Sequence, residues 1–189
     1  MHKYIIGAAA AFGLLALPLG AVEANASVKP AATFSCRGDG FCGSQEEVNT
    51  HLVWAVAASS PKSNTPVVLQ YFSNARSSQD FIATDINGLG DGTKRFQFAP
   101  NDDKSGLCIS QPKATAYTRL VLRPCNNSVF QQFRAEPSPD WSGYAWVSLQ
   151  DSSLVIQDGS FRGVGNQLNV GPNTWGDNQL WNDNTSSTP

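Results

Sequence analysis

Charge is scarce in this chain. Only 15% of its residues are Asp, Glu, Lys or Arg, and the formal balance is −2. With residues 1–26 set aside, 12 Lys and Arg stand against 14 Asp and Glu. A surface so evenly charged gives no electrostatic grip on a nucleic acid or an anionic membrane. Histidine is scarcer still: there are two, and only His51 lies beyond the N-terminal segment. That leaves few ways to build a general base or a zinc site. Neither a Gly-x-Ser-x-Gly elbow nor a His-Glu-x-x-His pair is present. Ser59 and Lys62 have the Ser-x-x-Lys spacing, but inside a proline-containing turn. Asp102–Asp103, and Asp85 with Asp91, sit in Asn/Gly turns that lack the full spacing of a calcium loop. No later stretch of twelve or more residues carries a helical stripe, and none is long and apolar enough to span a bilayer. These absences point away from an enzyme, a cofactor or metal protein, a nucleic-acid partner and membrane insertion.

The residues that are present suit an exported protein. His2 and Lys3 precede a nearly continuous apolar run, Ile5 to Leu17, and Ala24–Asn25–Ala26 supplies a small–x–small cleavage site. Residues 1–26 therefore predict a secretory signal, and the remainder is expected outside the cell. All four cysteines follow that site, and an even number in a secreted chain favours disulfides. Four cysteines permit three pairings. The local one joins Cys36 to Cys42 and Cys108 to Cys125, the latter closing a loop worth roughly 3 kcal/mol in the chain-entropy model. Within the first loop, Arg37–Gly38–Asp39 has the spelling of a cell-adhesion tripeptide, but so short a motif recurs by chance and a Gly/Asp turn is the better account.

Residues 27–43 read as an N-terminal segment holding the small cysteine loop. Ser44 and Glu47 stand at capping-box spacing and predict one helical turn over 43–50. After it the pattern is strand and turn throughout, in runs such as His51–Ala57, Val67–Leu69, Arg95–Phe98, Leu120–Leu122, Trp146–Leu149 and Leu154–Ile156. A Gln–x–aromatic triplet recurs three times: Gln79–Asp80–Phe81, Gln131–Gln132–Phe133 and Gln179–Leu180–Trp181. The three aromatics follow one another at intervals of 52 and 48 residues. Such a period marks one supersecondary unit used three times. On a strand, residues two apart share a face, so the ring and the glutamine both turn inward. A buried amide must then find backbone partners, which makes the triplet a structural staple first. The expected fold class is all-β, over residues 44–182, with 183–189 a frayed tail.

Gly106–Leu107–Cys108–Ile109, the Leu120–Leu122 strand, Cys125 and Gln131–Gln132–Phe133 together resemble one repeat of the ricin-B-type β-trefoil lectins. The resemblance implies three pseudo-symmetric repeats of about twelve short strands in a closed barrel, with Cys108–Cys125 as a within-repeat bridge. It implies a non-catalytic, carbohydrate-binding module whose partner is a neutral glycan or glycoprotein. In that family an aspartate, an aromatic and an Asn–Gln pair form each sugar site. Here Ser110 stands at the aspartate position of the second repeat, Arg123 at the aromatic one, and Phe130 before Gln131. In the first repeat, Gln70 takes the aromatic position and Ser78 precedes Gln79. The third repeat keeps Asn178–Gln179, with Gln157 or Asp158 for the aspartate, Asn169 at the aromatic position and Trp175 as a displaced platform. Those six residues are the candidate carbohydrate-binding set. The rival expectation is a trefoil without sugar chemistry that binds a protein, as an inhibitor or an attachment subunit. Arg123, Phe161–Arg162 and the Trp141–Tyr144–Trp146 group are its exposed candidates, although core packing is the better account of that aromatic group.

Overall fold

A computed structural model describes residues 41–73, 77–86, 93–99, 105–159 and 163–184. The expected signal segment, Cys36, the Arg37–Asp39 tripeptide, Asp91, Asp102–Asp103 and Phe161–Arg162 lie outside the described residues. So does the predicted Cys36–Cys42 bridge. The described residues form twelve strands: β1 (Phe41–Glu47), β2 (Leu52–Val56), β3 (Val67–Tyr71), β4 (Phe81–Asp85), β5 (Thr93–Phe98), β6 (Leu107–Ser110), β7 (Val121–Pro124), β8 (Phe133–Pro137), β9 (Tyr144–Ser148), β10 (Leu154–Gln157), β11 (Asn169–Pro172) and β12 (Trp181–Asn184). Among the described residues the only helices are three-residue 3₁₀ turns, and none is long and apolar enough to cross a membrane.

Six strands close a ring of antiparallel pairs, β1–β4–β5–β8–β9–β12 and back to β1. Closure leaves no free sheet edge along the ring. The other six form hairpins, β2–β3, β6–β7 and β10–β11, hung on β1, β5 and β9. Their inner strands meet on an axis. Val67 N donates to Leu120 O (3.2 Å), Leu120 N to Leu168 O (2.8 Å) and Leu168 N to Val67 O (2.9 Å). A second cycle repeats the pattern one step out, from Leu69, Leu122 and Val170 to the carbonyls of Asn166, Thr65 and Thr118. Two closed cycles of three backbone bonds define a pseudo-threefold axis, with repeats β1–β4, β5–β8 and β9–β12.

The period-two pattern accounts for the core. Phe96 and Phe98 are buried while Arg95 and Gln97 between and before them are only partly so. Phe81, Phe133 and Trp181, the closing aromatics, are 1%, 0% and 0% exposed, which puts the three at one depth. Trp54 packs edge-on against Phe96 (5.0 Å) and Trp181 (5.3 Å), and Phe96 against Trp146 (4.8 Å). Edge-to-face contact sets the positive rim of one ring on the negative face of the next. Each ring so buried adds on the order of 1.5–3 kcal/mol. The Cys108–Cys125 bridge, expected from the sequence, ties β6 to the end of β7. Gly106, with φ +72, makes the left-handed step into β6 that a side chain would strain.

Two local expectations are overturned. Residues 43–50 do not begin with a helical turn; Phe41–Glu47 is β1, and only the tight turn at 48–50 follows. Ser44 is no cap but donates its hydroxyl to Trp54 O (2.6 Å), and Glu47 is buried opposite Trp181. Ring closure demands a partner for β12 and β4, which outweighs the local capping signal. For the same reason Asp183 and Asn184 are not frayed but paired with Gln45 and Ser44. Asp183 also holds Gln45 Nε2 (2.9 Å) and the Tyr144 hydroxyl, whose phenol burial pushes up from its ordinary pKa.

Candidate functional site

The closing glutamines fix the frame of the site. Gln79, Gln131 and Gln179 each end a 3₁₀ turn and are almost fully buried. Their amides bond alike. Nε2 donates to Tyr71 O (2.7 Å), Pro124 O (2.9 Å) and Pro172 O (2.7 Å). Oε1 accepts from the backbone N–H of Ser73 (2.9 Å), Asn126 (2.9 Å) and Thr174 (2.8 Å). Each glutamine thus clamps the end of its own hairpin, as a buried amide with four bonding directions can. The clamps also set the register between repeats: Tyr71, Pro124 and Pro172 are equivalent.

Counting back one residue, Arg123 is equivalent to Gln70 and to Gly171. The position opposite Arg123 in the third repeat is therefore Gly171 and not Asn169, which corresponds to Val121. The Pro that ends both β7 and β11 is the signal that would have set this register. Strand pairing confirms it, with Ser110 opposite Val121 and Gln157 opposite Asn169. Ser110, Gln157 and Ala55 are then equivalent, as are Gln111 and Asp158. Two further bonds agree: Gln111 N donates to Phe130 O (2.8 Å), and Asp158 N to Asn178 O (3.0 Å).

In the third repeat the predicted residues are brought together, but with one another. Gln157 Nε2 donates to Asn169 Oδ1 (2.9 Å), and Gln179 Nε2 donates to Gln157 Oε1 (2.9 Å). All three are buried. The Gln157 amide lies across Gly171, where an added Cβ would stand 2.3 Å from its Oε1. It fills the space a ligand would need over that strand. Asp158 is fully buried, and Asn178 sits half-buried with Nδ2 3.5 Å from Asp158 O. Trp175, at φ +57, packs its ring against the Ala145, Val147 and Val155 cluster.

The second repeat differs at two of these positions. Ser110 is short, Arg123 replaces glycine, and an open hollow of about 160 Å³ lies between them. Its walls are Ser110, Pro112, Arg123, Asn126, Ser128, Phe130 and Gln131. The Arg123 side chain is exposed, and Phe130, 38% exposed, presents a ring. The far wall is braced: Arg95 Nη1 donates to Asn126 O (3.1 Å) and Asn127 Oδ1 (3.3 Å), and Asn126 Oδ1 accepts from Ser128 N (2.9 Å). Behind Ser110, buried Gln111 accepts from Ser148 Oγ (2.6 Å) and donates to Lys113 O (2.8 Å). This site was passed over in the sequence because Ser110, Arg123 and Phe130 each depart from the residues the resemblance requires.

Of the aromatic group offered for a protein partner, Trp146 is buried in the core and Tyr144 is half-buried against it. Trp141 alone is open, 81% exposed at the tip of the β8–β9 hairpin. Among the described residues no cluster of three His, Cys, Asp or Glu could hold a metal ion.

A closed six-stranded ring with three hairpins about a threefold axis is the β-trefoil, the fold of the ricin-B-type lectins. Solved structures bear this out. The designed threefold-symmetric protein ThreeFoil matches with a TM-score of 0.64 at 18% identity, over 74% of this chain and 95% of its own. The Rhizoctonia solani agglutinin matches at 0.62 and 13% identity, over 78% and 96%. The C-half of the earthworm R-type lectin, solved with GalNAc, matches at 0.54 and 12% identity, over 75% and 96%. Within longer chains the match is a segment, spanning 17% of a mosquitocidal holotoxin and 30% of an exo-β-1,3-galactanase from Clostridium thermocellum. No protein-family model matches the sequence, and no curated protein matches it.

Proposed function

We propose that this chain is an exported, non-catalytic carbohydrate-binding module that takes a sugar in the hollow of its second repeat. The observation that carries the reading is the contrast between equivalent positions: Gln157 fills its hollow over Gly171, whereas Ser110 leaves its own open beside Arg123 and Phe130. The walls offer what a pyranose needs. Hydroxyls and amides match its hydroxyl groups, and an aromatic ring covers a C–H face. The lectins that share the fold, one of them solved with GalNAc, support a glycan as the ligand class. The matched galactanase and toxin are far longer than this chain, so their activities give it no catalytic role.

The test is a glycan array read with the wild type, Ser110→Gln and Asn178→Ala. Ser110→Gln copies the third repeat's plug into the second. Binding lost in Ser110→Gln and kept in Asn178→Ala supports the reading. Loss in Asn178→Ala alone returns the site to the third repeat, and an array blank for the wild type refutes the sugar reading altogether.

A further inference from the structure

We propose, resting on that reading, that the second-repeat hollow selects an acidic sugar, a pyranose bearing a carboxylate or sulfate, and that Arg123 is the group that selects it. The hollow's only charged wall residue is Arg123, and none of its seven wall residues is a carboxylate. Among the described residues no acid is paired with the Arg123 guanidinium. A guanidinium is a planar fork whose donors match a carboxylate or sulfate edge two at a time.

Placement strengthens this. Arg123 pairs with Cys108 in the β6–β7 ladder, and the disulfide Cys108–Cys125 fixes that ladder at its end. The cation therefore projects from a fixed base. Across the hollow, Phe130 offers its ring, and its backbone is pinned by Gln111. Arg95, committed to Asn126 and Asn127, adds a second positive charge behind the opposite wall. A neutral sugar would leave the Arg123 charge half-desolvated and unanswered, whereas an acidic one meets it as its ring covers Phe130. On a chain whose net charge is −2, this spot is locally basic by construction rather than by overall composition.

The experiment is calorimetric titration of the full chain with lactose, sialyllactose and sulfated lactose, alongside free sulfate and acetate. Wild type, Arg123→Gln, Arg123→Lys and Ser110→Gln are compared, each first shown by circular dichroism to be folded. The expected result is at least one acidic form bound about 10- to 100-fold more tightly than lactose, the range of a charge-assisted pair. That preference should vanish in Arg123→Gln, survive only in part in Arg123→Lys, and shrink as salt is raised. Equal affinity for lactose and its acidic forms, unchanged in Arg123→Gln but lost in Ser110→Gln, overturns the acidic inference and leaves the sugar reading intact. No binding of any glycan overturns both. Free sulfate or acetate binding as tightly as the glycan shows an anion site without sugar recognition, and also overturns the proposal.

Discussion

The glutamine clamps give the sharpest test of the architecture. Gln→Met at 79, 131 or 179 keeps the length and packing of the side chain but removes every hydrogen bond its amide makes. Gln79 and Gln131 each make two such bonds, at 2.7–2.9 Å, to backbone groups of their own hairpin ends. A net bond is worth about 1 kcal/mol, and an orphaned partly buried partner raises the loss, so each of these changes should cost about 2–3 kcal/mol. Gln179 makes two more, accepting from Thr174 Oγ1 (3.1 Å) and donating to Gln157 Oε1 (2.9 Å) inside a buried chain of amides. Gln179→Met should therefore be the worst of the three, at about 3–5 kcal/mol. Urea unfolding measures this directly, as a fall in the midpoint with an unchanged slope. If all three cost less than about 0.5 kcal/mol, or if Gln179→Met is the mildest, the clamps do not hold the repeats and the threefold register loses its support.

Three further outcomes follow from the geometry. The double variant Cys108→Ser/Cys125→Ser opens a bridge between residues 17 apart, and should lower stability by about 3 kcal/mol against the oxidised wild type in the same urea assay. Gln157→Ser, which removes the amide lying over Gly171, should open a hollow in the third repeat. A crystal structure of the variant showing ordered solvent there would confirm it, and collapse of Asn169 into the gap would not. The carboxyl of Asp140, at the β8–β9 tip, is held down to about 2 by the Ser138 hydroxyl first and then by the hydroxyl and backbone N–H of Ser142. Because the folded value is depressed, what this group adds to the tip is complete above the ordinary 3.8 and is lost as pH falls through 2. Carboxyl carbon shifts followed by NMR should show that midpoint in the wild type and a higher one in Ser138→Ala.

The repeat and its core were legible in the sequence because both depend on residue spacing alone. Gln–x–aromatic predicts an amide and a ring turned inward together, and in all three copies both are buried, although the glutamine ends a 3₁₀ turn and only the aromatic begins the strand. Capping residues misled where a local signal met a topological demand: Ser44 and Glu47 have the spacing of a cap, yet β1 is needed to close the ring. The site was read less well, for a different reason. Asn169 lies two residues short of the position equivalent to Arg123, because the Gln179 clamp places the end of β11 at Pro172. A slip of two residues preserves strand parity, so period-two patterning cannot detect it. Nor does a residue list reveal whether neighbouring amides are open to a ligand or satisfied by each other, as Gln157, Asn169 and Gln179 are.

Core and hollow are built from alternate residues of the same strands, and this explains how one can be kept while the other changes. Along β7, Leu122 points into the barrel and is fully buried, while its neighbour Arg123 points out to the hollow. Along β11, Val170 is the buried partner and Gly171 the outward one. The axis contacts use the backbone of the inward set, through Leu122 N and Val170 N, and so place no demand on the identity of the outward residue. Guanidinium, amide and bare glycine are therefore equally compatible with the threefold barrel. What an outward residue becomes is settled by its neighbours on the same face of the hairpin: a bare glycine lets the long Gln157 lie over it and seal the space, and an arginine near the short Ser110 leaves that space for something from outside the chain.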